Sequence, residues 1–163
     1  MKLFHTSPNE ITKITEDGTF GSFLCFSCDI YTPGSNLDPY VYCLEIGEFD
    51  LIECCRLFYS DDWKKLDPIV ESVKKVLGVD EDVAVTLLSE EIFLHNLELS
   101  ENLDFAETAW WIQKQTAECS KILGYKGCIM TDEQGALYMI DGKQIKLDLY
   151  YNPRPKGWNV RKK

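Results

Sequence analysis

The residues best suited to contact a sugar stand near the start of the chain, where His5 is followed by Thr6 and Ser7. An imidazole ring and two small hydroxyl groups offer both hydrogen-bond donors and acceptors, which complement the hydroxyls of a ribose. A lone histidine in a strand is more often structural than catalytic, so we take these residues first as candidates for binding. We interpret the other histidine, His95, as structural because it lies in a largely apolar segment.

Two neighbouring carboxylates, Asp132 and Glu133, stand in a polar segment between two apolar runs. Loops between strands commonly carry catalytic groups, because the strands hold the loop in place. Cleavage of a glycosidic C–N bond builds positive charge on the sugar, and a fixed anion stabilises that charge. One carboxylate would hold the ribose and the other could polarise an acceptor. An ordinary solvated turn is the alternative, and the local sequence alone favours it.

Aromatic residues make up 12% of the chain, and a planar ring of a ligand would need such a face to stack against. Most of these side chains are expected in the core. Phe26 and the pair Phe58–Tyr59 become candidates for binding if they border the same cleft as His5.

Seven cysteines allow two other kinds of chemistry. Cys25 and Cys28 have the spacing of half a zinc site, but a strand would point them to opposite faces, and the adjacent Cys54–Cys55 would be an awkward second half. A thiol could also act as a nucleophile with His5, although no local feature indicates a lowered thiol pKa. We expect no metal, and reduced thiols rather than a disulfide framework.

Strands at both ends and helices between them must position these residues. Strands are predicted over 2–6, 23–27, 40–46, 127–130, 136–140 and 145–149. One helical turn is predicted over 11–14, and longer helices are predicted from Asp61 or Asp62 to Gly78, from Asp80, and from about Phe105 to Gly124. Hairpin turns are predicted at 132–135 and, with the strongest signal, at Asp141–Gly142. This order predicts an α+β domain with mixed or antiparallel sheets and both chain ends adjacent in the core.

The charge of the chain is uneven. Its net charge is −10, and five basic residues cluster in an acid-free tail, which leaves 12 basic against 27 acidic residues elsewhere. The acidic part of the chain outside this tail repels nucleic acid and could attract a basic, nucleic-acid-binding protein. No apolar run approaches the roughly 20 residues that span a bilayer, and no signal peptide is indicated. We expect a soluble intracellular protein with one domain over 1–151 and a basic tail over 152–163.

Five short segments, in this order, resemble the phage-encoded type I-F anti-CRISPR ADP-ribosyltransferase family: Leu3–Pro8, Gly18–Gly21, Phe23–Ser27, Leu123–Gly127 and Asp132–Gly135. The resemblance extends from residue 2 to about residue 141. It implies the ADP-ribosyltransferase-like α+β fold, in which two small mixed or antiparallel sheets surround an NAD cleft and a helical insertion occupies the middle of the chain.

By this resemblance, the chain would use NAD as co-substrate to modify a subunit of a type I-F CRISPR surveillance complex, blocking recognition of target DNA in the host cytoplasm. Asp132 would be the catalytic carboxylate, with Glu133 as the competing assignment. His5 would contact a ribose, and Thr6 and Ser7 would line the adenosine side. The remaining NAD-binding candidates are Phe26, Ser27, Phe58 and Tyr59. No metal, membrane or direct nucleic-acid contact is expected.

The chain departs from arginine-specific transferases, which carry an arginine in the first strand and a Glu-x-Glu loop. An arginine acceptor is therefore not implied. Two other hypotheses stay open. The protein could be a non-catalytic acidic decoy that occupies a nucleic-acid-binding surface, or it could hydrolyse NAD or act as an RNA 2′-phosphotransferase. The RNA reaction fits the net charge poorly, because few cations are available for a phosphate-rich substrate.

Overall fold

The computed structural model describes residues 1–31, 38–133 and 135–153. Its strands and helices, in chain order, are β1 (Lys2–Ser7), β2 (Phe23–Phe26), β3 (Tyr40–Glu45), β4 (Leu51–Glu53), α1 (Asp67–Leu77), α2 (Glu81–Leu88), α3 (Phe105–Ile122), β5 (Gly127–Asp132), β6 (Gly135–Asp141) and β7 (Asp148–Tyr151). The predicted α+β class, with two small sheets and helices between the terminal strands, is confirmed. Most of the predicted basic tail, residues 154–163, lies outside the described residues.

The strands form one antiparallel sheet and one mixed sheet. The three-stranded sheet has the order β1-β3-β7, and the four-stranded sheet has the order β2-β6-β5-β4, in which β4 and β5 are parallel. The sheets meet where Phe4 and Ser27 exchange two backbone hydrogen bonds of 2.8 and 3.0 Å. This contact holds the end of β2 beside β1. It therefore brings the candidates around residue 5 next to those around residue 26.

The first and last strands, β1 and β7, share a sheet without being neighbours in it. β1 and β7 both pair with β3, and all four residues of β7 are exposed. Leu3 of β1 and Ile140 of β6 share one buried cluster, against which Ile145 and Leu147 pack, so the predicted adjacency in the core is met by β1 and residues 140–147 and not by β7. The rings of Phe4 and Tyr150 do make an edge contact, with their centroids 5.3 Å apart.

The core has two parts, one on each face of the four-stranded sheet. The side chains of β6 alternate between these two parts, because neighbouring side chains of a strand point to opposite faces of the sheet. Met139 packs with the helices and Ile140 packs with the three-stranded sheet, and both are fully buried. Burying one such side chain contributes about 1.5–3 kcal/mol. Phe26 belongs to the part between the sheets, so the packing of that layer fixes the neighbourhood of His5.

Capping residues set where the first two helices end and begin. Gly78 ends α1 in the left-handed conformation, with φ 65°, and the Asp80 carboxylate accepts a hydrogen bond from the Val83 amide at 2.9 Å to begin α2. Both predicted boundaries are confirmed. The first helix begins later than predicted, at Asp67, because Pro68 has no amide hydrogen and is tolerated only in the first turn of an α-helix.

Two local predictions are wrong. Residues 11–14 form no helical turn, and the Ile11 amide donates to the Tyr42 hydroxyl at 2.7 Å. Asp141–Gly142 is not a hairpin turn, because a short 3₁₀ helix follows it and β7 pairs in the other sheet. Strand β4 and the 3₁₀ segment Cys54–Tyr59 were not predicted. No helix in the described ranges has the length and apolar character needed to cross a membrane.

Candidate functional site

A cavity of about 560 Å³ opens where the two sheets meet, and its volume lies within the range of roughly 300–1,000 Å³ typical of small-molecule sites. Three segments supply its lining: β1, the region of β2 with the residues that follow it, and the β5–β6 hairpin. The lining residues are Phe4, His5, Thr6, Cys25, Phe26, Ser27, Tyr31, Asp132, Glu133 and Leu137. Residues from opposite ends of the chain thus share one cavity.

The environment of His5 determines its protonation. Nδ1 lies 2.8 Å from the carbonyl oxygen of Cys25, and a carbonyl oxygen only accepts, so Nδ1–H is the donor. Burial lowers the pKa of His5 below its ordinary value, although the hydrogen bond to Cys25 acts in the opposite direction. The ring is therefore neutral at pH 7, with Nε2 unprotonated. His5 can offer one acceptor nitrogen to a ligand.

Aromatic and apolar side chains form much of the cavity wall. Phe26 is 1% exposed, and its ring centroid lies 5.6 Å from that of His5 at an angle of 49°. Tyr31, in contrast, is half exposed. Tyr31 and Leu137 were not predicted as site residues, and neither stands in a pattern that distinguishes it from other apolar residues of the chain.

The carboxylates reach the cavity from the β5–β6 hairpin. Asp132 pairs with Gly135 at the last position of the ladder. Gly135 has φ 121°, a conformation that essentially only glycine adopts without strain. Asp132 and Glu133 are both exposed at this end of the hairpin.

Cys25 lines the cavity but is not an activated thiol. Burial and the negative charge of Asp132 together raise its pKa to about 11, so it is protonated at neutral pH and a poor nucleophile. Its Sγ lies 3.1 Å from the sulfur of Met139. These features disfavour the hypothesis of a Cys–His nucleophile at this site. All seven cysteines are free, and no group of three or more potential metal ligands occurs within the ranges that the structure describes.

Six predicted site residues line the cavity: His5, Thr6, Phe26, Ser27, Asp132 and Glu133. The other three do not. The Ser7 hydroxyl donates to the carbonyl oxygen of Asn9 at 2.6 Å and forms a local turn. Phe58 packs against the helix side of the core. Tyr59 is 82% exposed and lines a separate groove of about 690 Å³.

Ser7, Phe58 and Tyr59, which were predicted to line the binding cleft, therefore lie outside this cavity. Phe58 and Tyr59 belong to the 3₁₀ segment that packs against α3 and β4. Ser7 ends β1, where its hydroxyl is used by the turn that follows.

Comparisons with known proteins establish the fold. No protein-family model matches the chain, and no curated protein matches it. One solved structure, described as the crystal structure of an anti-CRISPR protein, has a similar fold with a TM-score of 0.54. The two sequences are 23% identical, and the match covers 86% of this chain and 88% of the other. The shared fold thus includes most of both chains.

Proposed function

We propose that this protein transfers ADP-ribose from NAD to a protein target, and that it acts as an anti-CRISPR protein. The observation that carries the proposal is the cavity between the sheets, which joins His5 and Thr6 from the first strand with Asp132 and Glu133 from a hairpin near the other end. The cavity offers a neutral acceptor, hydroxyl groups, aromatic rings and two carboxylates. Such a lining suits a nucleotide sugar with a planar base.

In the proposed complex, NAD is a substrate bound by residues of this cavity. Nε2 of His5 accepts a hydrogen bond from a ribose hydroxyl, because Nδ1–H is already committed to Cys25. Phe26 supports the His5 ring, and Thr6 adds a hydroxyl on the same strand. The apolar wall excludes water from the sugar, which strengthens electrostatic interactions with it.

The reaction breaks the C–N bond between the ribose and nicotinamide and forms a bond between the same ribose carbon and a nucleophile of the target. Nicotinamide leaves with the electron pair of the broken bond, and the nucleophile loses a proton. Positive charge develops on the ribose in between. We propose that the Asp132 carboxylate stabilises this positive charge and that Glu133 accepts the proton. The reverse assignment is the alternative.

The target is proposed from three observations. The neighbour of similar fold is described as an anti-CRISPR protein, the sequence resembles the type I-F anti-CRISPR transferases, and the net charge is −10. An acidic protein is attracted to a basic DNA-binding surface and repelled by DNA itself. We propose that the target is a subunit of a type I-F surveillance complex, and that the protein acts in the host cytoplasm.

Release of nicotinamide tests the catalytic part of the proposal. The wild-type protein is incubated with NAD and the complex, and nicotinamide is quantified by chromatography. Asp132→Asn should lower the rate by about 100-fold or more, since electrostatic groups of this kind contribute about 2.7–4 kcal/mol. Glu133→Gln is the matched variant on the same hairpin, and the larger loss identifies the principal carboxylate.

Unchanged rates in both carboxylate variants would overturn the assignment of this site. Inhibition of the complex without NAD, in proportion to the amount of protein and weakened by salt, would instead support the acidic decoy.

A further inference from the structure

Glu90 has an unusual backbone conformation. It follows α2 with φ 57°, and no other non-glycine residue in the described ranges has a positive φ. The amide of Glu91 donates to the carbonyl oxygen of Thr86 at 2.9 Å across this residue, a helix ending at which glycine is the usual occupant. The left-handed conformation disfavours any residue that carries a Cβ. A glutamate at this position requires an explanation.

The side chain of Glu90 reaches the strand that carries the candidate carboxylate. Its two oxygens lie 2.9 and 3.3 Å from the amide nitrogen of Thr131, which donates to them. β4 ends at Glu53, opposite Ile129, so beyond that point β4 no longer supplies partners for β5. The Glu90 carboxylate takes over this role immediately before Asp132, at the base of the hairpin tip.

The electrostatic environment of Glu90 is also unfavourable to a charge. Burial raises its pKa, and the nearby negative charge of Asp132 acts in the same direction, while hydrogen bonds from Thr131 and Cys54 oppose them. Glu90 thus combines a strained backbone, partial burial and a like charge nearby. Backbone strain of this kind persists where the surrounding structure requires it, and it is common at functional sites.

We propose that Glu90 is a positioning residue, which fixes the β5–β6 hairpin through the Thr131 amide so that Asp132 and Glu133 face the cavity. Glu90 does not line that cavity, so it has no direct role in binding NAD. The effect on catalysis rests on the proposed function, whereas the effect on the hairpin does not.

Three variants separate the side chain from the backbone. Glu90→Gly removes the carboxylate and relieves the left-handed strain, so the variant should fold with an unchanged or higher Tm. Glu90→Gln keeps an oxygen that can accept from Thr131. Glu91→Gln is the control, because Glu91 is the exposed neighbour in sequence.

Hydrogen exchange of the Thr131 amide, followed by NMR, tests the proposed contact itself. We expect about ten-fold faster exchange in Glu90→Gly, the factor that corresponds to loss of one hydrogen bond to a charged group. Exchange should stay within about two-fold of wild type in the other two variants, and the Cys128 amide of the same strand should be unaffected. Equal exchange in wild type and Glu90→Gly would overturn the proposal.

Kinetics test the consequence for catalysis. In Glu90→Gly, kcat for nicotinamide release should fall about ten-fold while KM for NAD changes less than about two-fold, because the carboxylates of the hairpin tip are displaced whereas His5, Thr6 and Phe26, which we propose to hold NAD, keep their places. Glu90→Gln should restore most of kcat. Accelerated exchange with an unchanged kcat would refute the positioning role. If wild type releases no nicotinamide, the proposed function fails. Hydrogen exchange of the Thr131 amide still tests whether Glu90 holds the hairpin.

Discussion

Replacing Asp141 by asparagine removes a buried negative charge while preserving the size of the side chain. Asp141 ends β6 and is 1% exposed. Its Oδ1 accepts hydrogen bonds from the Ser22 hydroxyl at 2.7 Å and the Lys143 amide at 3.1 Å. Its Oδ2 accepts from the Gln144 amide group at 3.0 Å and forms an ion pair with Lys121 at 3.2 Å. Asparagine has only one acceptor oxygen, so its amino group must face two donors.

The magnitude follows from the bonds that are lost. Two hydrogen bonds disappear on the side that receives the amino group, and each bond to a charged group contributes about 1.5–3 kcal/mol. If the amino group of the new asparagine faces Gln144, the Gln144 side-chain amide can rotate and present its oxygen as an acceptor. This rotation would recover part of the lost energy. We therefore expect Asp141→Asn to lower the free energy of unfolding by about 3 kcal/mol, which corresponds to a fall in Tm of about 10 °C for a domain of this size.

The same site predicts a dependence on pH. Burial raises the pKa of Asp141, but the hydrogen bonds from Gln144, Ser22, Lys143 and Lys121 outweigh it, so the pKa lies below its ordinary value. A carboxylate with a lowered pKa stabilises the folded state above its unfolded pKa of about 3.9, and this stabilisation is lost as the pH falls through the folded pKa. Asp141→Asn should abolish this part of the acid sensitivity.

Thermal unfolding, followed by circular dichroism at pH 7, compares wild type with Asp141→Asn and Asp62→Asn. Asp62 is the matched control, because its side chain is 57% exposed and its ion pair with Lys65 is on the surface. The control should change stability by less than about 1 kcal/mol. If Asp141→Asn unfolds within about 2 °C of the control, the inferred role of this buried carboxylate is wrong.

Two further predictions test the site and the sheet. Because burial lowers the pKa of His5, NAD affinity measured by calorimetry should be constant above pH 7 and fall only below about pH 6.5, as Nε2 becomes protonated. His5→Phe should bind weakly at every pH, and a flat profile for wild type would contradict the assignment. Gly127→Ala should destabilise the protein by about 3 kcal/mol in urea unfolding, because a Cβ there would lie 2.2 Å from the carbonyl oxygen of Met139. Gly78→Ala, which meets nothing within 4 Å but has φ 65°, should cost only about 1 kcal/mol, and equal losses would refute the close-approach argument.

Local sequence predicted the elements whose boundaries are set by local chemistry. Gly78 ends α1 and Asp80 begins α2 because the left-handed conformation and the N-cap each favour one of a few residue types. The start of α3 at Phe105 and its end near Gly124 followed from a helical repeat of apolar residues. Placement of His5 in the same cavity as Asp132 was predicted by the resemblance in segment order, and not by either residue alone.

The remaining features depend on contacts between distant segments. Phe58 and Tyr59 lie outside the cavity because their 3₁₀ segment packs against α3. No local pattern in the sequence indicates this packing. Asp141–Gly142 has the composition of a hairpin turn, yet burial of the Asp141 carboxylate against Lys121 and Ser22 directs the chain elsewhere. Glu90 could not be singled out, since its conformation is one that sequence propensity assigns to glycine.

Intact-mass spectrometry of a type I-F surveillance complex, after incubation with this protein and NAD, tests the central claim most directly. We expect one subunit to gain the mass of ADP-ribose in a reaction that requires NAD. The gain should be absent with Asp132→Asn, provided that thermal unfolding shows this variant to be folded. Unchanged masses for all subunits, in a complex that the protein nevertheless inhibits, would contradict this claim.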